Sequence, residues 1–172
     1  MHDTLEVKLY RPESIDGFEV HRLVESSPPL DPNSVYCNLL QCTHFDGTSI
    51  CAKLDGQLVG FVSGYLIPSR PNTLFIWQVV VAERGRGQGL AGRMLDALLE
   101  HPECGEVEYI ETTITPSNTA SQALFKKFGA THGAEPSITE GFDRKLHFKD
   151  HHESEELWRI GPFQNTKTRL LT

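Results

Sequence analysis

The stretch from Leu74 to His101, LFIWQVVVAERGRGQGLAGRMLDALLEH, narrows what this chain can fold into more than any other. It opens on an apolar run, Leu74 to Val81, rich in β-branched and aromatic residues, which reads as a buried strand. A basic, glycine-dense turn follows, Arg84-Gly85-Arg86-Gly87-Gln88-Gly89. Leu90, Met94, Leu95, Leu98 and Leu99 then recur at the spacing of an amphipathic helix. The glycines let the backbone turn tightly with its N–H groups inward, and the helix N-terminus adds partial positive charge. Arg84 and Arg86 add full charges. A ligand carrying phosphate is expected there.

Gly87-x-Gly89-x-x-Gly92 matches the dinucleotide fingerprint, with Glu111 standing ~20 residues on, where a ribose-binding acid would lie. Context argues against that reading. The turn lies mid-chain behind an expected antiparallel hairpin, and the roughly 80 residues that follow cannot complete a doubly wound sheet and a substrate domain. No Gly-Lys-Ser or Gly-Lys-Thr occurs, so the phosphate-binding lysine motif is absent.

Arg84-x-x-Gly87-x-Gly89 after a valine-rich strand resembles the acyl-CoA pyrophosphate loop of the GNAT superfamily of N-acetyltransferases. That superfamily's second motif is matched downstream by Asn118-Thr-Ala-Ser121-Gln-Ala-Leu124-Phe125-Lys-Lys-Phe128-Gly129-Ala130. Two motifs in the right order are far more specific than either alone. The resemblance implies an α/β GNAT fold: a mixed, mostly antiparallel twisted sheet, splayed at its central strands and flanked by helices. It also implies acetyl-CoA as cosubstrate, with Val79, Val81, Arg84, Arg86, Gly87, Gly89, Leu90, Ala91, Asn118 and Phe125 holding it.

A chain of 172 residues suits one domain with a full core, here residues 1–172 with a flexible polar tail over 163–172. Hydrophobic content of 38% and charged content of 23% are ordinary for a soluble protein. No apolar run reaches the ~20 residues of a membrane span, and the N-terminus lacks a secretory pattern. Cys37, Cys42, Cys51 and Cys104 form no C-x-x-C pair, so free thiols in a cytoplasmic protein are expected. A formal charge of −7 argues against nucleic acid as a partner and weakly suits a cationic small molecule.

Along the chain, Leu5 to Tyr10 alternates as a half-buried strand that Pro12 ends. Ser14 or Asp16 can cap a helix carrying Ile15, Phe18, Leu23 and Val24. After the proline-rich loop Ser26–Asn33, Asn33 or Ser34 caps a short helix through Val35, Tyr36, Leu39 and Leu40. Strands Ser49–Leu54 and Gln57–Ile67 are joined by Asp55-Gly56, a hairpin signal. Gly60 and Gly64 suggest bulges or close backbone approach, and Ser69–Asn72 is the loop into the central strand. Beyond the central helix come a strand at Val107–Thr115 and a helix from Ser117 or Asn118 that buries Ala120, Ala123, Leu124 and Phe128 and stops at Gly129. Arg144–Phe148 and Glu156–Ile160 are expected strands around an acidic, histidine-bearing loop.

Moving an acetyl group from a thioester to an amine requires a polarised carbonyl, a deprotonated amine and a departing thiolate. The backbone N–H groups of Val79 and Val81 occupy the positions that polarise the carbonyl in the resembled superfamily, Val79 as the catalytic donor. The tyrosine that many members offer to the sulfur is replaced by Phe125, which has no hydroxyl. A thiol of pKa ~8.5 leaves adequately without an acid, and Phe125 would pack against the pantetheine arm.

Three local strings, Pro28–Leu40, Phe75–Leu95 and Thr113–Phe125, resemble the L-2,4-diaminobutyrate acetyltransferases of ectoine biosynthesis. That likeness implies acetylation at the 4-amino group by direct transfer in a ternary complex, within a cytoplasmic homodimer serving osmotic-stress adaptation. A diamino acid needs acids, an aromatic or hydroxyl wall and a carboxylate donor. Asp31, Tyr36, Trp77, His152 and Glu156 are candidates for binding it, with His151 and Glu153 in the same late loop. An alkyl amine of pKa ~10 needs a base, for which Glu153, Glu156 or His152 is expected. Each has a plainer alternative: Asp31 as a turn former, Trp77 as core, the His-His-Glu run as a solvated loop. A metal site is not expected, since adjacent histidines are poor co-ligands and no H-E-x-x-H occurs. Two rival readings are an acetyltransferase for another amine, such as a polyamine or a protein N-terminus, and a non-enzymatic CoA-binding domain.

Overall fold

The computed structural model describes residues 6–28 and 30–163. The expected tail therefore lies outside the described residues, Phe163 excepted. The chain forms β1 (Val7–Tyr10), α1 (Gly17–Glu25), α2 (Val35–Thr43), β2 (Ile50–Leu54), β3 (Gln57–Ile67), β4 (Arg70–Val81) and α3 (Leu90–Leu99). It continues through β5 (Tyr109–Ile114), α4 (Thr119–Thr131), β6 (Ser137–Phe142) and β7 (Glu155–Ile160). This is the element order read from the sequence. The strands hydrogen-bond in the order β1-β2-β3-β4-β5-β7-β6. β1–β2, β2–β3, β5–β7 and β6–β7 pair antiparallel, and β4–β5 is parallel. The chain divides into two compact units: one runs through Tyr65 and includes Trp77–Gly105, the other comprises Leu66–Ile76 and the chain from Glu106 onward.

In the first unit, Val20, Leu23, Val24, Cys42, Cys51, Phe61 and Val80 form one buried cluster. Of the two expected cap positions, Asp16 is the one that precedes the helix, which starts at Gly17. Ser14–Asp16 is a 3-10 turn, and Ile15 and Phe18 stay exposed. The Asp16 carboxylate caps no helical amide. It accepts from the Glu13 N–H at 2.8 Å and the Tyr10 hydroxyl at 2.9 Å. Gly17 then fits against α2, where a side chain would meet Leu39. Ser34 caps α2 as expected, its hydroxyl accepting from the Cys37 N–H at 3.0 Å. The face α2 buries is polar, with Asn38, Gln41 and Cys42 inward and Tyr36 out. Asn38 meets that burial by donating to Gln41 Oε1 at 2.8 Å.

Asp55 and Gly56 both take positive φ, as a type I′ hairpin turn requires. Gly60 marks a close approach: a Cβ there would stand 2.9 Å from the Met94 methyl of α3. The β2–β3 register also shifts opposite it, between Ala52 and Lys53. The loop placed at Ser69–Asn72 is shorter, because β4 begins at Arg70 and only Pro68 and Ser69 intervene.

The second unit is built on β5 and β7, with Ile110, Ile114, Phe125, Phe128, Trp158 and Ile160 buried. The β4–β5 ladder is short, pairing Thr73–Phe75 with Tyr109–Glu111. Three readings change here. First, α4 runs through Gly129 and ends at Thr131. Gly133 at φ 68° stops it, with the Gly133 and Ala134 amides bonded back to Ala130 and Gly129. Gly129 is small because Ala134 O would lie 2.3 Å from any Cβ. Second, α4 buries Phe125, Phe128 and Gly129, leaving Ala120 and Ala123 exposed. Third, the penultimate strand is Ser137–Phe142, whereas Arg144–Phe148 forms turns nucleated by Asp143. All four cysteines are free thiols. Among the described residues no helix is long and apolar enough to cross a membrane.

Candidate active site

The glycine turn after β4 has the geometry of an anion cradle. A 3-10 turn at Glu83–Gly85 brings the chain out of the strand, and Gly85 is buried against Val81, Leu90 and Val59. Gly87 and Gly89 then adopt φ of 80° and 63°, a conformation that side-chain-bearing residues avoid. A Cβ at either would meet nothing within 4 Å, so the backbone there is open to a ligand. Gly89 is the N-cap of α3 and has no side chain with which to cap it. Arg93 is the first residue bonded back, its N–H donating to Gly89 O at 3.1 Å. Among the described residues, the amides of 87–92 have no backbone acceptor, as the first turn of any helix dictates. A diphosphate fits such donors. Leu90 is buried and pins the helix, while Ala91 stays half-exposed in the first turn. Arg86 is exposed, and the Arg84 guanidinium donates to Gln57 Oε1 at the hairpin.

Upstream on the same strand, Val79 and Val81 are half-buried and Trp77 is 42% exposed. Trp77 is held in an aromatic triangle missed in the sequence. Its ring lies edge-on to Phe45 at 6.3 Å and to Tyr65 at 6.1 Å, and Phe45 lies 6.3 Å from Tyr65. Such edge contacts add about 0.5–1.5 kcal/mol each beyond burial. Nothing in sequence spacing joins residues 45, 65 and 77; they meet because the end of α2, β3 and β4 do. Tyr36 projects from the first turn of α2, 69% exposed, and Asp31 is exposed in the loop before it.

In the second unit Asn118 caps α4, its side chain accepting from the Ser121 N–H at 3.1 Å, and Phe125 is 2% exposed on the inward face. The late loop places its acids differently. Both Glu153 oxygens are occupied, one by the Ser117 N–H at 3.1 Å and the other by the Ser117 hydroxyl at 2.6 Å. Glu155 accepts from the Thr113 hydroxyl. Glu156 is half-buried on β7, opposite Ile114 and Glu140, with no side-chain hydrogen bond or ion pair among the described residues. His152 Nδ1 lies 2.6 Å from the Glu153 carbonyl. A carbonyl can only accept, so Nδ1 carries the hydrogen, and in the neutral ring Nε2 is the basic nitrogen. His151 is exposed.

Glu111, the residue a dinucleotide reading would use for ribose, is committed elsewhere. It is buried on β5 and receives Arg70 at 2.6 and 3.2 Å and Arg159 at 2.9 Å, which raises the Arg70 pKa. The Arg159 guanidinium also lies 3.7 Å over the Tyr109 ring. No group of three or more His, Cys, Asp or Glu among the described residues could hold a metal ion.

The acetyltransferase (GNAT) family model matches residues 16–130, and the chain belongs to that family. Within it, the chain is 52% identical over 158 residues to the L-2,4-diaminobutyric acid acetyltransferase of Methylotuvimicrobium alcaliphilum, covering 92% of both sequences. The diaminobutyrate acetyltransferase EctA from Paenibacillus lautus, solved with its substrate L-2,4-diaminobutyric acid and coenzyme A, superposes with a TM-score of 0.89 at 41% identity. That comparison covers 94% of this chain and 98% of the other. Ard1 from Thermoplasma volcanium, 19% identical with a TM-score of 0.73 over 90% of this chain and 97% of its own, shares the fold.

Proposed function

We propose that this chain transfers the acetyl group of acetyl-CoA to the 4-amino group of L-2,4-diaminobutyrate, directly within a ternary complex, as a step of ectoine biosynthesis. The observation that carries the reading is the open amide cradle at 87–92, joined to an end-to-end likeness to diaminobutyrate acetyltransferases. Alignment over 92% of the chain supports one acetyltransferase domain. A cytoplasmic homodimer acting under osmotic stress belongs to the same proposal and rests on the family likeness.

Acetyl-CoA supplies the activated acyl group. The amides of 87–92 and the charge of Arg86 bind its diphosphate, with Arg84, tethered to Gln57, supporting the turn. The Val79 N–H polarises the thioester carbonyl, a donor of about 3 kcal/mol in the transition state, and Val81 continues that strand. Asn118 fixes the start of α4, and Phe125 packs against the thiol arm. Trp77, Tyr36 and Asp31 receive the diamino acid: an aromatic face and a carboxylate suit ammonium groups. The C–N bond forms as the C–S bond breaks, and the amine proton goes to Glu156 on β7, whose carboxylate has no side-chain partner among the described residues, or to Nε2 of His152. The thiolate departs without an acid from Phe125, as its pKa of ~8.5 allows.

Thiol release from acetyl-CoA across a panel of L-2,4-diaminobutyrate, ornithine, lysine, spermidine and a short peptide tests the assignment. Turnover confined to diaminobutyrate is expected, with NMR of the product showing the acetyl group on N4. Preference for a polyamine or peptide would replace this substrate with a rival, and CoA binding without any turnover would remove the activity.

A further inference from the structure

Between β6 and β7 the chain makes a loop, residues 143–154, that is folded on itself. Asp143 Oδ1 accepts the amides of Lys145 at 2.8 Å and Leu146 at 2.7 Å, and these hold its carboxyl below the usual range, Leu146 most of all. The Asp143 N–H donates to His147 Nδ1 at 2.8 Å. Arg144 ties the two ends, its N–H donating to Ser154 Oγ at 2.8 Å and its guanidinium 3.2 Å from Asp150. The Phe148 and His152 rings stack at 4.6 Å. Lys149 and Asp150 sit at φ of 51° and 64°, left-handed conformations that persist only where surrounding contacts dictate them. So the loop is shaped from within, and the Glu153 side chain fastens its exit. Glu153 places one carboxylate oxygen on the Ser117 N–H and the other on the Ser117 hydroxyl, immediately before the Asn118 cap of α4.

We infer that Glu153 is a positioning residue: it latches the loop onto the start of α4 and thereby sets where His152 and Glu156 meet the acceptor amine. This rests on the proposed function, in which those two residues serve the amine. The geometry also explains why Glu153 is ill-suited to be the base, since both of its oxygens already accept hydrogen bonds from Ser117. α4 carries the second motif of the acetyltransferase family, so the latch joins the late loop to that helix.

The test compares Glu153→Ala, Glu153→Gln and Ser117→Ala. Losing the latch forfeits about one charge-assisted hydrogen bond of binding, so Glu153→Ala raises KM for diaminobutyrate about tenfold. The pH midpoint of kcat stays in place, and trypsin cuts faster at Arg144, Lys145 and Lys149. Glu153→Gln keeps one acceptor oxygen and recovers part of both effects, while Ser117→Ala moves them the same way. Two results would overturn the inference. One is a kcat collapse with KM unchanged and the pH limb gone, which makes Glu153 the base. The other is KM and loop cleavage both at wild-type values. If the wild-type protein proves inactive towards diaminobutyrate, the substrate reading fails while the cleavage rates still decide the latch.

Discussion

Adding a negative charge at Gly89 separates the cradle's electrostatics from its backbone geometry. Gly89 sits at φ 63°, ψ 27° with open space where a Cβ would go, so no packing clash follows from any small substitution. Gly89→Ala forces a left-handed alanine and costs about 1 kcal/mol of stability. Gly89→Asp suffers no more strain, since aspartate tolerates that region better. It also sets a carboxylate beside the proposed diphosphate, for which a separation of about 5 Å is assumed. Two unit charges at that distance repel by about 3 kcal/mol at an effective dielectric of 20 and by under 1 in water. The site is exposed, so the low end applies; doubled for the diphosphate, the loss is about 1.7 kcal/mol, or roughly 17-fold in CoA affinity. Calorimetric titration with CoA reads the affinity, and urea unfolding reads the stability. The expected pattern is equal destabilisation in both variants, with about 17-fold weaker CoA binding confined to Gly89→Asp and shrinking by half or more in 1 M salt, where the Debye length is ~3 Å. Equal affinities for the two variants would refute the electrostatic reasoning, and wild-type affinity in both would place the diphosphate elsewhere.

Glu156→Gln should lower kcat about 100-fold and abolish its pH-dependent limb, with CoA affinity unchanged by calorimetry. Glu111→Ala leaves two guanidiniums around a hole; because Arg70 and Arg159 side chains are 46% and 32% exposed, water recovers part of the loss. The expected cost is about 2–3 kcal/mol, or a drop of roughly 4–12 °C in thermal midpoint, and a change under 1 °C would show the triad to be ornamental. Burial pushes the Cys42 and Cys104 thiols up from 9.0 to about 12. The folded state then keeps protons that the unfolded chain gives up above pH 9, so unfolding free energies from urea titrations should fall between pH 9 and 12, by up to ~1.4 kcal/mol per pH unit for each thiol. Replacing Cys104 by alanine should flatten that slope, and an unchanged slope would deny the burial effect.

Periodicity and turn chemistry dictated much of this protein. The β-branched run into Val81, the Asp55-Gly56 turn, the Ser34 and Asn118 caps and the glycines at 87 and 89 are local codes, each enforced by the backbone conformations those residues permit. That is why the element order and the glycine turn after β4 were readable from the sequence alone. Tertiary contact decided the rest. Gly129 reads as a helix stop, yet α4 passes through it, and the glycine is there because the Ala134 carbonyl leaves no room for a Cβ. Arg144–Phe148 has a strand's composition, yet Asp143 captures its first amides and turns it into a loop. The aromatic triangle around Trp77, the burial of Glu111 between two arginines and the capture of Glu153 by Ser117 join residues 12 to 48 positions apart. Pattern spacing is blind at that range, because which side chains meet across strands and loops depends on register and packing, and those exist only once the chain has folded.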